Sequence, residues 1–167
     1  YVEAYVDYEL ECASSNPNIA YVNENGELVC VSDGVTLITA KVKGYDCIGV
    51  LSIPVLELDL PVLTDWSYAK LRVAPCHYFG SYYEKNFVIA AHNYQSHFGR
   101  LSSLQPKDLI LFTDISGTVY CYEVVLLETL PANATEEMIT SGFDLSLYTC
   151  TPGGASRVTV RCSAINQ

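Results

Sequence analysis

Leu145-Ser146-Leu147-Tyr148-Thr149-Cys150-Thr151-Pro152-Gly153-Gly154-Ala155-Ser156-Arg157-Val158-Thr159-Val160-Arg161 is the stretch from which the rest of the chain is best read. A run of small and apolar residues ends on a cysteine, a Pro-Gly-Gly turn follows, and a second β-branched run opens on an arginine. Two strands joined by a short turn bring the end of the first beside the start of the second. Cys150 and Arg157 are therefore expected at a common site. An arginine is rarely buried without a partner, so a thiol beside a guanidinium is a poor packing choice. The pair makes chemical sense if the cysteine attacks a carbonyl and the arginine steadies the charge that develops. Arg161 lies four residues beyond Arg157 on the same strand face, with Thr159 between them. Arg157 is nearer the turn and is the candidate; one of the two arginines can be an ordinary surface residue.

The 167 residues suffice for one good domain or a domain plus a fragment. Half are apolar, with many tyrosines and few charges, so a sizeable core can be buried. Glycines and prolines fall between short β-branched runs, which predicts an all-β protein, mainly strands with short helices. The formal net charge of −10 comes without any basic run. That balance argues against nucleic acid, which needs clustered Lys and Arg, and gives no reason to expect docking on anionic lipid. No stretch approaches the roughly 18 consecutive apolar residues of a membrane span. The chain begins at Tyr1 rather than Met, which reads as a processed form or an excised piece, with any membrane attachment carried by a segment absent from it. Seven cysteines, none spaced as C-x-x-C, leave at least one thiol free or paired between molecules. Cys12, Cys30, Cys47, Cys121 and Cys162 are read as small apolar strand residues, and no metal site is assigned.

Three histidines can be weighed one by one. His92 closes the continuous apolar run Phe87-Val88-Ile89-Ala90-Ala91, a strand buried on both faces, and a polar ring emerging there is well placed for a site. His77, in Ala74-Pro75-Cys76-His77-Tyr78, is read as structural or at a rim, and His97 as exposed in a polar turn. Thr135 to Ser141 is the best helix candidate, with Thr135 as cap and Glu136 and Glu137 in the first turn. Short strands separated by regular turns suggest a small closed barrel.

Residues 1–43 form the first predicted unit: strands over Tyr8–Cys12, Ile19–Val22, Leu28–Val31 and Thr36–Val42, with Asn25-Gly26 as a two-residue hairpin turn and Lys43-Gly44 as the boundary. The run Ser14-Ser15-Asn16-Pro17-Asn18-Ile19-Ala20-Tyr21-Val22, with Gly26, Val31, Gly34 and Ile38-Thr39-Ala40, resembles the later strands of bacterial immunoglobulin-like domains of group 2.

The second unit, residues 44–167, resembles the sortase family. Leu147-Tyr148-Thr149-Cys150 is similar to the T-L-x-T-C signature of that family, with Ser146 in place of its first threonine. Ala91-His92-Asn93 resembles its histidine step, and Arg157-Val158-Thr159-Val160-Arg161 its arginine-led strand. Ile48–Pro54 with Leu60-Pro61-Val62 resembles its opening strands, and Phe98–Asp108 its L-x-x-G-D segment, with Lys107 where glycine is usual. The resemblance implies a sortase-like eight-stranded β-barrel and a cysteine transpeptidase. In that reading Cys150 is the nucleophile, His92 the acid or base, and Arg157 the oxyanion or substrate stabiliser. Ser146, Thr149 and Asn93 become candidates for substrate contact. A free thiol is only a few per cent thiolate at neutral pH, and an adjacent imidazolium and guanidinium are expected to help form the thiolate. The implied partners are the sorting-signal peptide of a surface protein, of L-P-x-T-G type, and an amine from a cell-wall precursor or pilin lysine. The implied location is the outer face of a Gram-positive cell membrane. No cofactor is implied; some relatives bind calcium, which the acidic surplus permits without marking a site.

Leu130-Pro131-Ala132-Asn133-Ala134 superficially resembles a sorting motif but reads as the start of a loop. A papain-like hydrolase places its cysteine before its histidine, the reverse of His92 and Cys150. Peptidoglycan L,D-transpeptidases have a Ser-His-Gly step before the cysteine, which is missing here. A non-catalytic adhesin-like surface module is the remaining alternative, supported by residues 1–43 alone.

Overall fold

The computed structural model describes residues 8–165. Four strands come first: β1 (Leu10–Ser14), β2 (Ala20–Val22), β3 (Leu28–Cys30) and β4 (Ile38–Val42). Then follow β5 (Tyr45–Ile53), β6 (Leu58–Leu63), α1 (Tyr68–Leu71), β7 (Cys76–Phe79), β8 (Phe87–Ala90) and β9 (Leu109–Asp114). The chain ends with β10 (Val119–Pro131), α2 (Thr135–Ile139), β11 (Leu145–Cys150) and β12 (Ser156–Ala164).

Eight strands in the order β5-β6-β7-β8-β11-β12-β10-β9 close on themselves where β9 pairs with β5. This is the expected mainly-β architecture: an eight-stranded barrel with few, short helices. Side chains alternate along β5, with Cys47, Gly49, Leu51 and Ile53 to the inside. All four residues of β8 are buried, as its unbroken apolar run requires, and β8 runs parallel to β11. Phe87, Phe112 and Phe98 are fully buried in the core that fills the barrel. Closure depends on Gly49: a Cβ there would lie 2.2 Å from the Thr113 carbonyl and 2.7 Å from Phe112 Cζ.

The N-terminal strands attach to an edge the barrel leaves open. β9 covers only Gly49–Ser52 of β5, and β4 pairs with the uncovered Tyr45 and Asp46, while β1 pairs with β4. Lys43-Gly44, expected as a boundary, is a two-residue hairpin turn between β4 and β5, with both residues at positive φ (49° and 79°). Asn25-Gly26 does lie in the β2–β3 hairpin, but the Asn23 N–H bonds the Glu27 carbonyl, so the loop holds three residues rather than two. Gly26 takes the left-handed position such a loop requires (φ 80°). β10 extends to Pro131, past its expected end at Leu127. Thr135 does not cap α2: Ala134 holds that position and no side-chain bond closes it. No helix among the described residues is long and apolar enough to cross a membrane.

Candidate active site

Two strand pairings build the site. In the parallel pair, Tyr148 of β11 lies opposite Ala90 of β8. The Ala91 N–H then donates to the Tyr148 carbonyl (3.2 Å), and the Thr149 hydroxyl donates to the Ala91 carbonyl (2.9 Å). Two residues beyond each member of that register pair stand His92 and Cys150, delivered to the same end of the barrel. In the antiparallel pair, Cys150 lies directly opposite Arg157, so the two side chains leave one face of the sheet.

His92, Cys150 and Arg157 line one groove of about 160 Å³. Cys150 is a half-buried free thiol. The Pro-Gly-Gly turn positions the arginine. Gly153 and Gly154 both take left-handed backbone (φ 82° and 76°), and Arg157 Nη1 donates to the carbonyls of Gly154 and Ser156 at 3.0 Å each. One wall of the groove is aromatic: Trp66, Tyr78 and Tyr148 touch in sequence, with ring centroids 5.6 and 5.3 Å apart. Pro131, Ala132 and Ala134, with Thr135 and Met138 of α2, also line the groove. The segment that mimics a sorting motif is thus a wall of the groove.

Burial, and second the charge of Arg72, push the His92 pKa below its ordinary value. That shift disfavours the protonated form of the ring. A neutral ring suits a base that takes the thiol proton and later returns it.

The residues expected to touch substrate are placed differently. Ser146 is fully buried beneath α2, and its Oγ accepts from Arg161 Nη1 at 2.8 Å. Thr149 faces inwards, 3% exposed, with its hydroxyl on the Ala91 carbonyl. Both hold the sheet together beside the groove and line none of it. Asn93 is exposed and also lies outside the lining. Arg161, the arginine not chosen for the site, is no surface residue. It is 1% exposed; Nε donates to Glu128 Oε1 (2.7 Å), Nη1 to the Met138 carbonyl (3.2 Å) and Nη2 to the Glu137 carbonyl (2.9 Å). His97, expected in solvent, is 2% exposed. His77 fills a structural role, its ring nitrogens reaching the carbonyls of Thr64 and Gly80. Sequence reasoning missed the aromatic wall, although Tyr148 shares the face of Cys150 by its two-residue spacing.

The family model described as Sortase domain matches residues 51–165. The chain belongs to the sortase family. Among solved structures, this sortase superposes on sortase A from Corynebacterium diphtheriae with a TM-score of 0.66 at 24% identity, over 74% of this chain and 62% of that one. It matches Streptococcus pneumoniae sortase C at 26% identity and a TM-score of 0.64, over 72% and 67% of the two chains. For sortase C from Clostridium perfringens SM101 the values are 21%, 0.64, 73% and 71%. The chain thus spans about 62% of the length of the C. diphtheriae enzyme. No curated protein matches it.

Proposed function

We propose that this sortase is a cysteine transpeptidase that cleaves a sorting signal of L-P-x-T-G type and passes the acyl group to an amine. The observation that carries the reading is the convergence of His92, Cys150 and Arg157 on one groove. Neutral His92 takes the Cys150 proton as the sulfur attacks the carbonyl of the motif's threonine. Arg157 stabilises the oxyanion, and the imidazolium gives its proton to the departing glycine amine as the C–N bond breaks. A thioester on Cys150 remains. An acceptor amine attacks it, His92 takes the amine's proton, and the thiolate leaves. Positioned proton transfer of this kind is worth about 10²–10⁴ in rate, and one oxyanion donor about 10²–10³. Each step uses side chains of the protein, so the reaction needs no cofactor.

The acceptor is a cell-wall precursor amine or a pilin lysine, and the enzyme works at the outer face of a Gram-positive cell. Residues 1–43 are the later strands of an immunoglobulin-like segment, a reading supported by their short strands and hairpin; the catalytic domain is residues 44–167. A fluorogenic L-P-x-T-G peptide should be cleaved slowly by the wild type and not at all by Cys150→Ala, while Arg157→Ala lowers kcat by about 10²–10³. Undiminished cleavage by Cys150→Ala defeats the proposal.

A further inference from the structure

The loop that carries His92 is held from an unexpected direction. Residues 92–99 fold into a tight turn in which the Phe98 N–H donates to the His92 carbonyl (3.2 Å), and the His97 and Gly99 N–H groups donate to the Tyr94 carbonyl (2.9 and 2.8 Å). A Cβ on Gly99 would lie 2.7 Å from the carbonyls of Asn93 and Tyr94, so the turn has no slack. Three rings run through it in contact: His92 to Tyr94 at 4.9 Å between centroids, and Tyr94 to His97 at 5.4 Å. The buried end of this row meets a residue 89 positions earlier in the chain, where the Tyr8 hydroxyl lies 2.7 Å from His97 Nε2.

Tyr8 is itself fixed. Its ring packs against both core clusters and stacks on His97 with an interplanar angle of 24°. It precedes β1, whose Leu10 pairs with Val42 of β4, which in turn pairs with Tyr45 of β5. Main-chain pairing therefore ties the barrel edge to β1, and the Tyr8 side chain, two residues before β1, carries the link on to His97.

We propose that Tyr8 and His97 form a strut that holds the His92 ring in its working position, making the N-terminal segment a positioning element of the active site. This rests on the reading of His92 as the catalytic acid and base. Tyr8 and His97 touch no substrate; they act through the His92 loop. Loss of the Tyr8 hydroxyl leaves a buried ring nitrogen without that partner, and the loop gains freedom to swing His92 away from Cys150.

The test uses the full chain, with Tyr21→Phe on β2 as control. With the fluorogenic L-P-x-T-G peptide, Tyr8→Phe should lower kcat about tenfold with KM unchanged within about twofold. His97→Leu should behave like Tyr8→Phe, whereas His97→Gln, which still offers the tyrosine a hydrogen-bonding group, should recover most of the kcat. A kcat of Tyr8→Phe equal to wild type overturns the strut, as does a fall in kcat matched by an equal rise in KM. A second readout needs no peptide: the rate at which iodoacetamide labels Cys150, followed by mass spectrometry of its tryptic peptide, should change in Tyr8→Phe and not in Tyr21→Phe. If the wild type leaves the peptide uncut, the proposed function fails, and this labelling still decides the strut: equal labelling of Tyr8→Phe and wild type refutes it.

Discussion

Replacing Arg161 by methionine keeps the length of the side chain and removes its charge and all its donors. In the native fold those donors serve four oxygen acceptors, Glu128 Oε1, the carbonyls of Glu137 and Met138, and Ser146 Oγ, and Nη1 also reaches Met138 Sδ. Breaking a buried pair by removing one partner costs about 3–5 kcal/mol, because the other charge is left behind. Here the Glu128 side chain is 31% exposed, so water partly recovers it and the lower end of that range applies. The two carbonyls belong to α2 and Ser146 is sealed beneath it, so their loss adds to the cost without adding in full. About 3 kcal/mol is the expected total, which for a chain of this size corresponds to roughly 6–12 °C in Tm. Because α2 supplies Thr135 and Met138 to the groove, KM for the peptide should rise more than kcat falls. Glu128→Gln keeps a hydrogen-bond acceptor but leaves the buried guanidinium, 2% exposed, without its counter-charge, so it should cost about 1–3 kcal/mol, less than Arg161→Met. Chemical unfolding and calorimetry of the two variants measure these differences. An Arg161→Met chain within 2 °C of wild type would show that the buried guanidinium does not hold α2 and that the magnitude above is wrong.

Further outcomes follow from other sites. Burial, then the charge of Arg72, keeps His92 below its ordinary pKa, so Arg72→Gln should move the acidic limb of the kcat/KM profile to higher pH; a limb that stays or moves down refutes the coupling. His97 is held neutral by burial, with its pKa pushed down to about 4, while in the unfolded chain it protonates near 6.5. Its contribution is complete above pH 6.5 and is lost as pH falls towards 4, by up to about 3 kcal/mol; urea titrations at pH 7, 5 and 4 should show that slope, and His97→Gln should flatten it. Gly49→Ala forces a methyl group onto the Thr113 carbonyl at the closing seam and should destabilise the barrel by about 1–3 kcal/mol or more; a neutral effect on Tm contradicts the seam geometry.

What was legible in the sequence was mostly local. A short turn fixes its own hairpin register, so the sequence places Cys150 and Arg157 at a common site, and the two are register partners in the structure. The apolar run ending on His92 marked a buried strand, and its neighbour β11 ended on the cysteine, although only the structure shows the two running in parallel. The errors share a cause, namely burial by distant elements. Arg161 carries no sign that α2 will cover it, Ser146 and Thr149 look like a motif at a site but serve the sheet, and His97 sits in a polar turn that folds under itself. Likewise nothing local reveals that β9 leaves part of β5 open for β4.

The central claim is that the sulfur of Cys150 carries the acyl group between donor and acceptor. Acid quenching of the wild type within the first turnovers on an L-P-x-T-G peptide, followed by proteolysis and mass spectrometry, reads that directly. The peptide containing residue 150 should gain the mass of the acyl fragment as a hydroxylamine-sensitive thioester. Product forming with residue 150 unmodified throughout, or with the adduct on one of the other six cysteines, would contradict the account.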